Sequence, residues 1–328
     1  MRTTVALLAT VLALASAAGC GGNGAEPGAP IGATLVLDFV PNAVHSGIYA
    51  ASARGFYRDE DVNLKIQPPG EATDAPKLLG AGRVEFAILD IHDLGLARER
   101  GIDLVGVAPI VQRPLAAILA RSDGPVQRPR DLAGHTVGVT GLPSDEAVVD
   151  SEVAADGGDP ARVKRVTIGF TAVPSLAAGK VDAATGFWNA EGVTLQRQGV
   201  PIRIFKVDRY GAPPYPELVL TTSRRTLEQD PVLVNAVVRA THRGYTFTER
   251  DPESALDDLL AADPSLERAD QQAQLDALLP ILKPKPFDPI VLHEWAGWDL
   301  EHGLLAKPLN IEEAFRLDLR SPLQQPSG

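Results

Sequence analysis

Two short stretches of the sequence bring together polar and aromatic side chains that could hold a small ring-shaped solute. The first is LDFVPNAVHSGIYAA, residues 37 to 51, in which a predicted strand ends and a helix begins near His45. The carboxyl ends of strands in an open α/β sheet border the ligand crevice, so side chains of this turn are binding candidates. The candidates are Asp38, Phe39, Asn42, His45 and Tyr49. The sequence leaves open whether Asn42 is instead a helix cap and Tyr49 a core residue.

The second stretch is GFWNAEGVTL, residues 186 to 195, which follows the predicted strand VDAAT. Trp188 offers a flat apolar face for stacking, and the amide of Asn189 is both donor and acceptor. The carboxylate of Glu191 can accept two parallel hydrogen bonds from an N–C–N edge, such as that of an aminopyrimidine. A protonated ring would make these bonds charge-assisted and roughly twice as strong. An equally good alternative is that Glu191 lies at the start of a helix, where its negative charge interacts favourably with the helix dipole.

Two further candidates carry weaker signals. Ser144 lies in GLPSDE, residues 141 to 146, where a predicted helix opens with free backbone N–H groups that could hold a polar group. An ordinary helix N-cap explains the same pattern. Asp90 ends the strand VEFAILD, and His92 follows two residues later. Asp90 is a candidate because the carboxyl end of a strand borders the ligand crevice.

Motifs of common enzymes and cofactor sites are missing from the sequence. It contains no Walker loop, no GxGxxG, no HExxH and, with one cysteine, no CxxC pair. The six histidines, at positions 45, 92, 135, 242, 293 and 302, include no pair four residues apart, which a local two-histidine metal site on a helix would need. The sequence therefore predicts no catalytic residues, no metal site and no cofactor.

The order of elements positions these candidates at strand ends. From Ala33, short apolar runs alternate with amphipathic helical segments, the rhythm of a parallel sheet covered on both faces. The rhythm restarts after RSDGPVQRPRDLAG, and the last third is helical, with predicted helices at 231–250, 252–262, 266–279 and 289–303.

This pattern predicts an α/β protein with two lobes. The strand ELVLTT, 217 to 222, can return to the first lobe, so that residues 32–120 plus 217–328 form lobe 1 and residues 121–216 form lobe 2. Two crossings between the lobes would make a hinge with a ligand cleft between them.

The N-terminus has the layout of a secretory signal. Arg2 precedes an apolar run from Val5 to Ala18 and small residues that lead into Cys20. The run is about 14 residues long, below the ~20 that a membrane-spanning helix needs. Ala17-Ala18-Gly19-Cys20 resembles a bacterial lipobox with Ala in place of the usual Leu. We expect residues 1–20 to be a signal peptide with Cys20 acylated, the alternative being an ordinary cleaved signal.

The expected location is therefore the outer face of the cytoplasmic membrane, in the cell envelope or periplasm, reached through a lipid anchor. Residues 21–31 are rich in Gly and Pro and are predicted to be a flexible tether. The chain has 31 basic against 42 acidic residues and a net charge of -11, which gives no basic patch for nucleic acid.

Several phrases together resemble the ThiY-type pyrimidine-binding proteins. They are LDFVPNAVHSGIYAA, GFYRDEDVNLKIQPP, LLGAGRVEFAI, IVQRPLAAILA and DLAGHTVGV, and the likeness covers about residues 33 to 225. In that family the phrase WxPNxxHxGxY lies at the cleft. Phe39 here replaces the Trp, whereas Pro41, Asn42, His45, Gly47 and Tyr49 match.

The resemblance implies a type II periplasmic-binding-protein fold and a non-enzymatic, monomeric binding protein that delivers a solute to an ABC permease. The implied solute is a formylated or hydroxymethyl aminopyrimidine for thiamine salvage, with Tyr49 and Trp188 stacking on it and Asn42, Asn189 and Glu191 setting its orientation. One alternative is an enzyme similar to the thiamine-pyrimidine synthases, with His45 reactive, but the single cysteine speaks against their cysteine-rich motif. The other is a different solute: riboflavin, a sulfonate or nitrate.

Overall fold

The computed structural model describes residues 30–70 and 74–317. The predicted signal peptide of residues 1–20 and its Cys20 lie outside the described residues, as do residues 21–29 of the predicted tether. No helix in the described ranges is both long enough and apolar enough to cross a membrane.

The described residues form strands and helices in the alternating order that the sequence predicts. The strands are β1 (Ile31–Val36), β2 (Val62–Gln67), β3 (Phe86–Asp90), β4 (Leu104–Pro109), β5 (Ala116–Arg121), β6 (Thr136–Val139), β7 (Lys164–Thr167), β8 (Ala183–Phe187), β9 (Ile202–Lys206) and β10 (Leu218–Ser223). The helices are α1 (Ser46–Ala53), α2 (Asp74–Gly80), α3 (Ile91–Glu99), α4 (Pro143–Ala155), α5 (Ala172–Ala177), α6 (Val193–Arg197), α7 (Arg224–Gln229), α8 (Pro231–Arg250), α9 (Pro252–Ala262), α10 (Arg268–Leu278), α11 (Pro289–Glu301) and α12 (Ile311–Ala314).

The strands form two five-stranded sheets of the same design. The first has the order β2-β1-β3-β10-β4, and the second has the order β7-β6-β8-β5-β9. In the first sheet β1 runs parallel to β2 and β3, and β10 runs antiparallel to β3 and β4. In the second, β6 runs parallel to β7 and β8, and β5 runs antiparallel to β8 and β9. The predicted α/β class is confirmed, although each sheet is mixed rather than purely parallel.

The antiparallel strand of each sheet follows a crossing of the chain. Strand β5 begins at Ala116 and pairs in the second sheet, so the predicted lobe boundary at residue 120 would cut through it. Strand β10 returns the chain to the first sheet. We propose that the lobes meet at two crossings, residues 110–115 and 207–217.

Asp–Pro pairs begin three helices of the last third of the chain, α8, α9 and α11. The side chain of Asp230 accepts a hydrogen bond from the backbone N–H of Leu233, and that of Asp251 accepts one from Ser254. Each Asp thus satisfies an orphan donor of the first turn, and the following Pro has no N–H to leave unpaired. Helices α8 and α9 consequently have the predicted bounds. A further pair, at Asp263, instead starts a turn in which its carboxylate accepts from Ser265.

Helices α1 and α8 pack closely because glycines face each other where they cross. A Cβ added to Gly244 would lie 1.9 Å from the carbonyl oxygen of Gly47, and one added to Gly47 would meet the ring of Tyr245 at 2.4 Å. The hydroxyl of Tyr245 donates to the carbonyl of Val44 at 2.8 Å. This contact fixes the turn that carries the first group of candidate residues.

One buried histidine of α8 makes the stability of the fold depend on pH. His242 is 5 % exposed, and neither ring nitrogen has a hydrogen-bond partner in the part of the chain that the structure describes. Burial disfavours the imidazolium and lowers the pKa of His242 to about 4 from 6.5. The unfolded chain therefore binds the proton first as the pH falls, and stability is lost below pH 6.5.

Between pH 7 and pH 5 we expect His242 to remove about 2 kcal/mol from the free energy of unfolding, at about 1.4 kcal/mol for each unit of separation. Urea unfolding at the two pH values measures this loss. The variant His242→Leu has no titrating group there, so its loss over the same interval should be smaller by that amount. An equal loss in both proteins would contradict the assignment.

Candidate functional site

A cavity lies between the two sheets and holds most of the sequence-predicted site residues. It encloses about 1020 Å³, part of it open to solvent. Its walls come from the ends of β3 and β8, the starts of β5 and β10, and the first turns of α3 and α4.

The cavity wall is acidic. Six carboxyl groups border it, from Asp38, Asp90, Asp93, Asp145, Glu191 and Glu217. No lysine or arginine of the described ranges is among the lining residues, and His92 is the basic side chain there. Such a wall favours a solute rich in hydrogen-bond donors or carrying positive charge, and repels anions.

Three phenyl rings supply the apolar part of the wall. Phe39 comes from the first lobe, and Phe170 and Phe187 come from the second. Phe39 and Phe170 meet edge to face, with ring centroids 4.6 Å apart. Phe170 is 43 % exposed, so this contact between the lobes lies where the cavity meets solvent.

Asp38 is held by a chain of hydrogen bonds through His45. The backbone N–H of Asn42 donates to Nδ1 of His45 at 3.2 Å, and Nε2 of His45 lies 2.9 Å from a carboxylate oxygen of Asp38. A backbone N–H can only donate, so Nδ1 is unprotonated and Nε2 carries the proton that bonds Asp38. His45 is 0 % exposed and positions Asp38, which lines the cavity.

Asn42 caps the helical turn that follows it, which is the alternative to ligand binding considered from the sequence. Its side-chain oxygen accepts from the backbone N–H of Val44 at 3.0 Å, and its side-chain nitrogen donates to the carbonyl of Val40 at 3.1 Å. Asn42 also borders the cavity. Its amide is therefore used by the turn itself, and any contact with a solute comes in addition to that role.

On the second lobe, Phe187, Asn189 and Glu191 form one wall around a single turn of π-helix, Trp188–Gly192. A carboxylate oxygen of Glu191 accepts from the backbone N–H of Phe187 at 3.0 Å. Burial raises the pKa of Glu191 above its usual value. The amide oxygen of Asn189, a residue only 1 % exposed, has no hydrogen-bond partner among the described residues. An unpaired buried acceptor is costly, and a donor on a bound solute would satisfy it.

Trp188 and Tyr49, the predicted stacking pair, do not line this cavity. The indole of Trp188 donates to the carbonyl of Pro114 at 3.0 Å, its ring lies 3.4 Å from Nζ of Lys206, and it packs against the cores of both lobes. Tyr49 borders a separate depression beside Asp263. Trp188 opens the π-helical turn that follows β8, and the aromatic ring that faces the cavity here is that of Phe187, the last residue of the strand.

The floor of the cavity is formed by Asp90, His92 and Glu217. One oxygen of Asp90 accepts from the backbone N–H of His92 at 2.8 Å. Burial, together with the neighbouring Glu217, raises the pKa of Asp90 well above its usual range. Burial alone would lower the pKa of His92, but the carboxylates of Asp299 and Asp90 outweigh it and raise that pKa to about 10.

Glu217 lines the cavity, and the sequence did not single it out. It is fully buried, and one of its carboxylate oxygens accepts from the backbone N–H groups of Leu115 and Ala116, the latter at 3.0 Å. Site candidates in the sequence follow the carboxyl ends of strands. Strand β10 is antiparallel to β3, so its start, not its end, lies at the cavity.

Ser144 and Asp145 open α4 at the opposite wall. Ser144 lines the cavity and is buried. The carboxylate of Asp145 accepts hydrogen bonds from the backbone N–H and the hydroxyl of Thr140, so it holds the preceding loop in place. Asp93 and Phe170 also line the cavity. Asp93 directly follows His92 at the start of α3, so its position after a strand end could have marked it as a candidate. Phe170 lies in a loop, where no sequence pattern marks it.

Comparison with known proteins gives a family-level match. The profile of the family described as "NMT1/THI5 like" matches residues 42–255. The chain is 31 % identical over 322 residues to the "Formylaminopyrimidine-binding protein" of Halalkalibacterium halodurans, which covers 95 % of this chain and 97 % of that protein. It is 28 % identical over 281 residues to the "4-amino-5-hydroxymethyl-2-methylpyrimidine phosphate synthase" of Legionella pneumophila, covering 85 % of this chain and 86 % of that one.

Among solved structures, the alkanesulfonate-binding protein SsuA from Xanthomonas axonopodis pv. citri, bound to MOPS, superposes with a TM-score of 0.72. The alignment covers 89 % of this chain and 99 % of that chain at 18 % sequence identity. Identity this low is evidence for the fold alone. The predicted two-lobe type II periplasmic-binding-protein fold is confirmed.

Asn42 both caps a helical turn and borders the cavity, so its structural role can be tested without a solute. Replacing it by Ala removes a helix cap and leaves a buried N–H unpaired, so we expect Asn42→Ala to lower the free energy of unfolding by about 1–2 kcal/mol without any solute present. Urea unfolding measures the loss. Asn63→Ala, at an exposed position of β2, is the matched control. Equal stabilities for the two variants would mean that Asn42 has no structural role.

Proposed function

The chain belongs to the NMT1/THI5-like family, and from this premise we propose that it is an extracytoplasmic binding protein for a thiamine-related aminopyrimidine. In this role it would capture the solute for thiamine salvage and deliver it to an ABC permease. The named binding protein of Halalkalibacterium halodurans supports the solute class.

The observation that carries the proposal is the charge of the cavity: six carboxyl groups and, within the described residues, no lysine or arginine. An aminopyrimidine has an exocyclic amino group, and its ring nitrogen can take a proton beside a carboxylate. Both features match an acidic wall, and a bond between a protonated ring and a carboxylate is charge-assisted. A sulfonate or nitrate would find no lysine or arginine among the described lining residues.

The second-lobe wall supplies the complementary contacts. Phe187 offers a ring face for stacking, Glu191 an acceptor for the N–C–N edge, and Asn189 an unpaired acceptor for an amino group. The pyrimidine edge of riboflavin presents two carbonyl oxygens on either side of one N–H, so it offers a single donor to the acceptors of Asn189 and Glu191, whereas an aminopyrimidine offers an amino group and, when protonated, a ring N–H. We therefore favour an aminopyrimidine over a flavin.

The import role rests on the arrangement of the chain. Two sheets connected by two crossings can close on a solute by a hinge motion, and the closed form differs in surface from the open form. The signal pattern and Cys20 support a lipid anchor that holds a monomer beside its permease at the outer face of the membrane.

A synthase is the alternative from another class, and a named synthase is among the relatives. The histidine proposed from the sequence as its reactive residue, His45, is 0 % exposed and both ring nitrogens are engaged. The single cysteine also departs from the cysteine-rich motif that the resemblance attributes to those enzymes. Both observations support binding without catalysis.

Thermal unfolding of the purified protein with a panel of solutes tests the proposal. The panel contains 4-amino-5-hydroxymethyl-2-methylpyrimidine, its formylaminomethyl counterpart, thiamine, riboflavin, taurine and nitrate. A solute that binds only the folded state stabilises it by about 2.7 kcal/mol at 100 times its Kd. We expect an aminopyrimidine to raise the melting temperature. A rise only with taurine or nitrate would overturn the solute class.

Variants locate the bound solute on the second-lobe wall. Asn189→Leu removes the unpaired acceptor, so it should abolish the shift while leaving the solute-free protein as stable or more stable. Glu191→Gln and Phe187→Ala should also reduce the shift. The matched controls are Glu228→Gln, at an exposed position of α7, and Trp188→Phe, outside the cavity. An unchanged shift in Asn189→Leu would place the solute elsewhere.

A further inference from the structure

Three side chains at the floor of the cavity converge on one point. Asp90, His92 and Glu217, here called the floor cluster, each offer one ligand atom, and these atoms lie within 4.8 Å of one another. They come from the end of β3, the start of α3 and the residue before β10. No local metal-binding pattern marks them in the sequence, because the three lie on separate elements.

Two of these side chains have buried atoms without a partner. Nε2 of His92 and Oε1 of Glu217 make no hydrogen bond in the described part of the protein, and both residues are at most 1 % exposed. The hydroxyl of Tyr215, whose ring meets that of His92 at 4.8 Å, is also unpaired there. Buried polar atoms are normally satisfied, so a group of orphans in one place indicates a bound species.

The remaining atoms of the floor cluster are held by the protein. Nδ1 of His92 lies 2.7 Å from a carboxylate oxygen of Asp299, to which it can donate when it carries the proton, and this contact holds the imidazole ring. Nε1 of Trp295 lies 3.1 Å from the same nitrogen and can donate to it only when that nitrogen carries no proton. The second oxygen of Glu217 is held by two backbone N–H groups, and one oxygen of Asp90 by another. A carboxylate behind a histidine is the usual support of a metal-binding imidazole.

We propose that the floor cluster binds a divalent transition-metal cation of the Zn²⁺ class, through Nε2 of His92 and one carboxylate oxygen each of Asp90 and Glu217. An imidazole with two carboxylates suits Zn²⁺ and its neighbours, whereas Mg²⁺ and Ca²⁺ prefer oxygen ligands alone. With bonds of about 2.1 Å, a tetrahedral zinc places its ligand atoms about 3.4 Å apart, so atoms separated by up to 4.8 Å must approach one another by as much as about 1.4 Å.

The position of the cluster gives the cation a role at the cleft. All three residues line the cavity, so protein ligands occupy one side of the cation and the other side faces the solute space. An open fourth position is the arrangement of zinc sites that bind a further molecule. The cation would also favour the ionised forms of Asp90 and Glu217, whose pKa values burial raises.

Calorimetric titration with zinc sulfate tests the proposal on the full chain, purified in detergent and freed of metal with EDTA. Every sample carries Cys20→Ser so that the lone thiol cannot bind zinc. We expect one zinc per chain, with affinity lowered at least about 10-fold in His92→Gln and in Glu217→Gln. His135→Gln is the matched control, because His135 forms a surface pair with Asp182 at 3.3 Å. Magnesium chloride at the same concentrations should bind at least 10-fold more weakly.

Absence of zinc binding to the parent protein would overturn the proposal. The floor cluster would then hold a proton shared by Asp90 and Glu217 and a water molecule at His92 instead of a metal ion. Equal affinity in the parent and both floor variants, or equal affinity for magnesium, would overturn it as well. If the variants fail to fold, crystals soaked in zinc sulfate decide: anomalous density must lie within about 2.2 Å of Nε2 of His92. The titration contains no organic solute, so its failure leaves the aminopyrimidine proposal standing.

Discussion

The buried carboxylate of Glu217 ties the two crossings of the chain together at the floor of the cavity. It stands at the end of the second crossing, and it accepts hydrogen bonds from Leu115 and Ala116 at the end of the first. A buried carboxyl group is costly unless its oxygens are paired, so these bonds compensate a large desolvation penalty. The hinge between the lobes and the floor of the cleft are therefore one structure, and the spacing of the lobes depends on it.

The chemistry of the cavity follows from how this frame brings strand ends together. The first lobe contributes Asp38 and Asp90, and the second contributes Phe187, Asn189 and Glu191. Carboxylates and one unpaired amide oxygen leave many acceptors in an apolar, partly enclosed space. A flat solute that carries amino groups can satisfy them, whereas an anion would add like charge to a site of low dielectric constant.

The sequence predicted the fold well because its signals are local. Asp–Pro pairs and apolar spacing marked the helices α8 and α9, and the strand-end rule led to Asp38, Asp90 and Glu191. Which side chains face the cavity could not be predicted in the same way. A turn of π-helix after β8 turns Trp188 away and leaves Phe187 at the cavity, and strand direction decides that Glu217 lies there. Both depend on pairing between distant segments, which a local pattern does not contain.

We propose that an aminopyrimidine binds between the lobes against the second-lobe wall, and a crystal structure of the protein with 4-amino-5-hydroxymethyl-2-methylpyrimidine is the decisive measurement. We expect the ring on the face of Phe187, with its amino group and ring nitrogen within about 3.2 Å of the side-chain oxygens of Asn189 and Glu191. A ring in the depression beside Tyr49, or between the lobes without contact to either oxygen, would contradict it.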